Sequence, residues 1–404
     1  MRKQVQILLF LTITLIGSCG SQKNAVIPEP GNWELIFDVG ETKIPARLKI
    51  SEAGRWQIIN STEVITIDSV QWSGSNFHVK LPLFHSVLDG KILSGKHITG
   101  TWSDNSRDSV YRVPFEASLK SVENPANRTG DTKSITYNAF FSPENPSERT
   151  HAVGLLTYSD HKVEGTFMTE SGDFRFLEGE RRGNDLYLSC FDGSHLFYFT
   201  ATQSGDSLVN GIFYSGKHWK EPWIANVDTM ASLRNPDSLT VNKNSSGHLR
   251  FSAKSASGDS VTLDSEDFQG KVTLVQIFGS WCPNCTDESI FLKSLYQKYG
   301  DRGLQIIPVA FERINDFEKN KEIISRQFEQ LSLPYNWYLG GVRSDASRVF
   351  ADLSKISSFP TTIFIDKSGK TRKIHTGFYG PGTGKYYTHH TEILDMFVQQ
   401  LLIE

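Results

Sequence analysis

The chain has 404 residues, which suggests two or three domains, because single cores stop growing near roughly 250 to 300 residues. With 38% hydrophobic and 22% charged residues, it has the composition of an ordinary soluble protein. A net charge of −3 without long like-charged blocks lacks the basic stripe of a nucleic-acid binder, so no nucleic-acid partner is expected.

At the N-terminus, Arg2 and Lys3 precede an apolar run over residues 5–16, interrupted by Gln6, Thr12 and Thr14. This is shorter than the about 20 residues that a membrane span requires, and it suits the core of a signal peptide. The run ends in Ile16-Gly17-Ser18-Cys19, which resembles the lipobox of bacterial lipoproteins. That resemblance implies a signal peptide at 1–18, lipidation of Cys19 and a polar tether at 19–30. It would place the chain in the cell envelope, held to a lipid membrane and facing the periplasm or exterior of a bacterium. The alternative is an ordinary secretory signal with a cysteine near the cut. Of the four cysteines, Cys190, Cys282 and Cys285 remain, too few for a disulfide-built scaffold.

Residues 31–233 show short alternating segments and no helical period. Examples are 47–50, 64–67, 77–81, 186–190 and 196–200, with turn signals at Asp89-Gly90, Gly183-Asn184 and Asp192-Gly193. The 12% aromatic content fits β-sheet. The region is expected to be a separate all-β domain, a barrel or a sandwich. Residues 74–103 also line up with 183–215. Each stretch ends with a Gly followed two residues later by an aromatic, Gly100/Trp102 and Gly211/Phe213. A two-fold internal repeat would account for this, and chance likeness between β-meanders is the alternative.

Residues 234–248 are polar and rich in Asn and Ser, the composition of a linker. From 249 to 404 strands and helices alternate. Residues 272–278 and 304–310 are apolar runs of the buried, parallel-sheet kind. Residues 286–299 carry Ile290, Phe291, Leu295 and Tyr299 at helical spacing. A helix at 317–331, strands at 361–365 and 372–375 and a closing helix at 393–402 complete an α/β unit.

The chemistry concentrates in GSWCPNC, residues 279–285. Structural zinc needs four ligands, usually two pairs, and this unit has one CxxC; His389 and His390 would diverge by about 100° on a helix. No metal is expected. A staple closing so short a loop would remove little chain entropy. A redox couple fits better, because Cys282 follows a buried strand and opens a helix. Partial positive charge and free N–H groups there stabilise a thiolate. Pro283 suits the first helical turn, and Cys285 lies one turn on, at a spacing that allows cycling between dithiol and disulfide.

The stretch DFQGKVTLVQIFGSWCPNCTDES, with SSFPTTIFIDKSGK downstream, resembles the thioredoxin superfamily in its membrane-tethered TlpA/ResA-like branch. The resemblance covers 249–404 and implies a thioredoxin fold, with Cys282 as nucleophile, Cys285 as resolving thiol and a disulfide between them. It further implies a cis Phe359–Pro360 bond and a client-binding surface made by Trp281, Phe359, Pro360 and Thr361. Protein thiol or disulfide clients, an upstream membrane electron donor and no cofactor follow from the same likeness. Glu288 matches an acidic residue that this branch carries three positions after the second cysteine. The buried Asp of ordinary thioredoxins is here Gln276, which cannot exchange a proton. Glu288 is therefore either the proton handler or a solvated helix-face carboxylate.

Two further stretches lead elsewhere. Gly380 to Tyr386 (GPGTGKY) has one residue too few for a phosphate loop and reads as a flexible loop. Cys190, in an alternating apolar strand, reads as a buried inert thiol. The expected function is a lipid-anchored thiol–disulfide oxidoreductase acting as a reductant. A thiol peroxidase is the enzyme rival, but Val275 and Gly279 stand where its Pro and Thr would precede Cys282. A ligand-binding lipoprotein with an auxiliary redox domain is the non-enzyme rival.

Overall fold

The computed structural model describes residues 27–107, 109–121, 132–262 and 270–404. The segment expected to be a signal peptide, Cys19 and most of the expected tether lie outside the described residues. None of the described helices is long and apolar enough to cross a membrane.

Two nine-stranded antiparallel sheets occupy the β region. The first runs from Gly31–Asp38 to Tyr111–Leu119, and these first and last strands pair, with Trp33 opposite Leu119. Its free edges are Glu63–Thr66 and Gln71–Ser73. Strict alternation drives the burial: Trp33, Leu35 and Phe37 point inward from one strand, and Tyr111, Val113, Phe115 and Ala117 from the other. Aromatics bridge the open seam, with Trp56 packed on Phe77 at 5.0 Å and against Trp72 at 6.2 Å between ring centres.

The second sheet runs from Thr132–Phe141 to Trp219–Val227, and these too pair first to last. Here Lys162–Thr169 pairs with both Thr150–Ser159 and Leu177–Arg182, which closes an eight-stranded barrel with the two-residue strand Gly172–Asp173 as an arm. Phe141, Phe167, Phe199 and Trp223 fill its centre. The stretches aligned as a repeat, 74–103 and 183–215, hold equivalent places as the sixth to eighth strands of their sheets. One turn signal misleads. Asp89-Gly90 lies inside the strand Ser86–Ser94, where Gly90 makes room for the Phe77 ring; a Cβ there would meet the ring at 2.4 Å.

The C-terminal part is a seven-stranded sheet. Its order is Ser260–Thr262, Ser252–Ser255, Tyr338–Val342, Leu304–Glu312, Val272–Phe278, Thr361–Ile365 and Thr371–Thr376. Val272–Phe278 is buried at every residue. It runs parallel to Leu304–Glu312 and antiparallel to Thr361–Ile365. The helices are α1 (Pro283–Tyr299), α2 (Phe317–Leu331), the short α3 (Ala346–Val349) and α4 (Lys385–Ile403). Leu292 and Leu295 of α1, Ile324 and Phe328 of α2 and Leu394 and Val398 of α4 share one core with Phe278, Cys282 and Cys285.

Three features differ from expectation. The final helix begins eight residues earlier than its apolar spacing indicates, since its first turns carry Tyr, Thr and His and bury little. Residues 380–386 are not a free loop. Pro381–Thr383 forms a 3-10 turn, Lys385 opens α4, and the Gly380 N–H donates to Asp173 of the barrel arm at 2.5 Å. The polar stretch around 235–248 lies along the C-terminal sheet: Asn242 bridges to Leu353, Thr240 is buried against Thr376, and Asp237 accepts from His375 at 2.6 Å.

Candidate active site

The buried strand Val272–Phe278 delivers the chain to Gly279 and Ser280, and a set of polar contacts holds that turn. Glu312, on the neighbouring parallel strand, accepts from the Ser280 N–H at 2.9 Å and from its hydroxyl at 2.7 Å. Burial pushes the Glu312 carboxyl up. Gln327 of α2 donates to the Ser280 carbonyl at 3.2 Å and to the Thr286 hydroxyl at 3.1 Å. Trp281 folds back over Gly279 and donates its indole N–H to the Phe311 carbonyl at 3.0 Å. A Cβ at residue 279 would sit 2.3 Å from the indole nitrogen, so only glycine admits the Trp.

Cys282 caps α1. Its backbone is extended, and its Sγ accepts from the Cys285 N–H at 3.2 Å, the place where a helix N-terminus stabilises negative charge on sulfur. Cys282 and Cys285 form a disulfide, with Cα atoms 5.2 Å apart. Cys282 keeps 6% of its surface exposed and Cys285 1%, so the first sulfur is the more accessible. The Phe359–Pro360 peptide is cis, and the Phe359 carbonyl oxygen lies 3.5 Å from Cys282 Sγ. The Trp281 and Phe359 rings stand 5.7 Å apart and pack against the core cluster that contains Cys282. Thr361 is fully buried, and its hydroxyl donates to the Ser358 carbonyl at 2.9 Å, so the side chain braces the loop without reaching solvent.

Glu288 is not on a solvated helix face. It is 1% exposed, on the third position after Cys285, and it accepts from Gln276 Nε2 at 2.8 Å. Burial raises its carboxyl to about 7 against the opposing pull of that hydrogen bond. Gln276 also lies within 3.4 Å of the Cys285 carbonyl and accepts from the Ser289 hydroxyl at 3.2 Å. The residue that cannot itself exchange a proton thus holds the carboxylate that can.

Sequence reasoning missed a second layer, contributed by the barrel. The arm after Lys162–Thr169 and the 192–195 turn lie over the disulfide end of α1. The Ser194 hydroxyl donates to the Trp281 carbonyl at 2.9 Å, and the Ser358 hydroxyl to the Ser171 carbonyl at 3.2 Å. Asp173 accepts from Asn284, between the two cysteines, at 3.0 Å. Arg175, 7% exposed, donates to Asp287 of α1, reaches Glu63 of the first sheet at 2.8 Å and lies 3.6 Å from Asp192. One buried cation therefore meets carboxylates from all three sheets' units. Burial raises Asp287 to about 7 against the pull of Arg175, and the neighbouring Asp173 and Glu63 carboxyls add to the rise. No local signal in 170–176 marks these residues, since Asp, Gly and Arg are ordinary in a β-turn. Cys190 is buried in the barrel, where desolvation pushes its thiol up.

Residues 244–385 match the family model described as Redoxin. Among curated proteins, the thiol–disulfide oxidoreductase ResA of Oceanobacillus iheyensis is 28% identical over 120 residues, 30% of this chain and 56% of that protein. The thioredoxin-like protein YneN of Bacillus subtilis is 28% identical over 127 residues, 31% of this chain and 68% of that one. The chain thus spans little more than half the length of the ResA protein. A crystal structure of a thioredoxin-family thiol:disulfide interchange protein from Chlorobium tepidum aligns with 39% of this chain and 95% of its own, at 19% identity and a TM-score of 0.31. The β portion before residue 244 lies outside the family match. The C-terminal part of this chain is thus similar to the redoxin family and to thiol–disulfide oxidoreductases of the ResA kind.

Proposed function

We propose that this chain is an extracytoplasmic thiol–disulfide oxidoreductase, anchored by lipid at Cys19, that reduces disulfides of client proteins. The observation that carries the reading is the pairing of Cys282 and Cys285 at the N-terminus of α1, against the Phe359–Pro360 loop. In the reduced protein, the Cys282 thiolate attacks one sulfur of a client disulfide. A mixed disulfide forms and the client's other sulfur leaves as a thiolate that takes up a proton. Cys285 then loses its proton and attacks Cys282 Sγ. This frees the second client thiol and leaves the Cys282–Cys285 disulfide, with two electrons passed to the client. A membrane-side dithiol donor returns the pair to the reduced state.

Glu288 is assigned the proton from Cys285. Its carboxyl, raised to about 7 by burial, is matched to proton exchange near neutrality. Trp281, Phe359 and Pro360 are assigned to client contact. The barrel arm and the 192–195 turn restrict which clients reach Cys282. Residues 244–385 hold the chemistry, and the β region before them governs access.

The test is trapping in cells. Cys285→Ser should accumulate mixed disulfides with client proteins, whereas Cys282→Ser should not. Equal trapping by both variants would overturn the assignment of the attacking sulfur. Absence of adducts with either would remove protein disulfides from its substrates.

A further inference from the structure

Beside the disulfide lies a cleft of about 760 Å³, lined by Glu312, Arg313, Asn315, Arg343, Ile356 and Phe359 among others. It reaches Phe359, whose carbonyl oxygen is 3.5 Å from Cys282 Sγ. The barrel arm and the 192–195 turn occupy another flank of the same sulfur, through Ser194, Ser171 and Asp173. The cleft is the open surface next to the reactive atom.

Its charge is one-sided. The Arg313 guanidinium stacks over Trp281 at 4.7 Å from the ring centre, and that of Arg343 at 5.5 Å. Arg343 also approaches the Phe359 ring at 6.0 Å. It is exposed and has no ion-pair partner among the described residues. Arg313 donates through Nη1 to the Ser106 hydroxyl at 3.1 Å and lies 3.4 Å from Asp104, which itself receives Arg107 at 2.7 Å and the Ser106 hydroxyl at 2.6 Å, so the positive charge of Arg313 is only partly offset. Burial lowers Arg313 to about 10, which leaves it protonated at neutral pH. The carboxylate on the cleft wall, Glu312, is buried and bound to Ser280. Asp345, nearby, is engaged by the Val342 N–H and by Arg348. Stacking on the Trp281 and Phe359 faces fixes the Arg343 guanidinium while leaving its N–H edge to receive a carboxylate, and Arg313 adds positive charge behind it.

We infer that this cleft receives an acidic client segment, in which Asp or Glu within a few residues of the reacting cysteine sets its carboxylate against Arg313 and Arg343. This rests on the reading of Cys282 as the attacking thiolate. The arginines then decide which disulfides are reduced, through charge complementarity that acts chiefly on the rate of encounter.

The experiment uses the reduced full-length protein and three short peptides, each with one internal disulfide flanked by Glu, Ser or Lys. At low ionic strength the Glu peptide should oxidise the dithiol about tenfold faster than the Lys peptide. Near 0.5 M salt, where screening reaches roughly 4 Å, the ratio should fall to about twofold. Arg343→Glu should reverse the ranking, and Arg343→Lys should retain part of it. Equal rates for the three peptides, or a ranking unchanged in Arg343→Glu, would overturn this inference alone. If no peptide oxidises the dithiol, the oxidoreductase reading falls and the inference with it. A dimer in sedimentation velocity that dissociates on Arg343→Glu would give the cleft to a second copy, and would equally overturn it.

Discussion

The two β units share a strand order and differ at one seam. In both, the first strand pairs with the last and the chain meanders between them. In the second, Lys162–Thr169 pairs with Leu177–Arg182 and the barrel closes. In the first, the equivalent strands Trp56–Asn60 and Gln71–Ser73 do not pair, and Trp56 and Trp72 meet across the gap. The strand between them is the four-residue Glu63–Thr66 in one unit and the two-residue Gly172–Asp173 in the other. Shortening that arm to Gly172–Asp173, still paired with Met168 and Thr169, brings the Asp173 side chain and Arg175 within reach of α1. One topology thus yields a unit that touches the redox domain at α2, through Arg326 and the Leu81 carbonyl, and at Arg313, through Asp104 and Ser106, and another that lies over the dithiol.

The sharpest way to break this distinction is Arg175→Met. It strands Asp287, Glu63, Asp192 and Asp173 without their shared cation, and losing one partner of a buried ion pair costs about 3–5 kcal/mol. Denaturant unfolding should show that loss. Alkylation of Cys282 in the reduced variant should also quicken several-fold. Unchanged alkylation would mean that the barrel arm does not govern access.

A second variant separates covering from chemistry. Glu288→Gln should slow resolution of the mixed disulfide by about 10- to 1000-fold and leave Cys282 alkylation as it was. The pH profile of that step should lose an inflection near 7, the value to which burial raises Glu288. Single-turnover kinetics with both steps unchanged across pH would leave Glu288 a structural residue.

Smaller is the effect of pH on stability. Asp287 and Glu288 are both raised to about 7, so between their ordinary values and 7 the folded chain binds more protons than the unfolded one. Stability should therefore be greatest at the acid end of that window and fall as pH rises through it, by up to about 1.4 kcal/mol per unit for each group. Asp287→Asn should flatten the slope in thermal unfolding; a slope identical to wild type would show that Arg175 keeps Asp287 ionised throughout. The smallest change is expected from Arg326→Ala, which removes a partly exposed hydrogen bond at 3.0 Å to the first unit. It should cost about 1 kcal/mol and leave Cys282 as covered as before.

What the sequence determined by itself is what neighbours two to four positions apart encode. Alternation in the Tyr111–Leu119 strand, the unbroken apolar run Val272–Phe278 and a cysteine between that strand and a helix all follow from local spacing. The pairing of the two meanders was legible because both copies keep the same rhythm of strand and turn. Tertiary structure alone decided the rest. Arg175 meets Asp287 across 112 positions, and the barrel that brings them together closes through pairings no local pattern specifies. The same enclosure explains Glu288. Asp287, Glu288 and Ser289 are consecutive and all buried, because α1 packs on the sheet along one side and under the barrel arm along another. The first turns of α1 are covered on two sides while Ser294, Gln297 and Lys298 farther along are exposed, so helical spacing alone could not show that the carboxylates at 287 and 288 would be withdrawn from water.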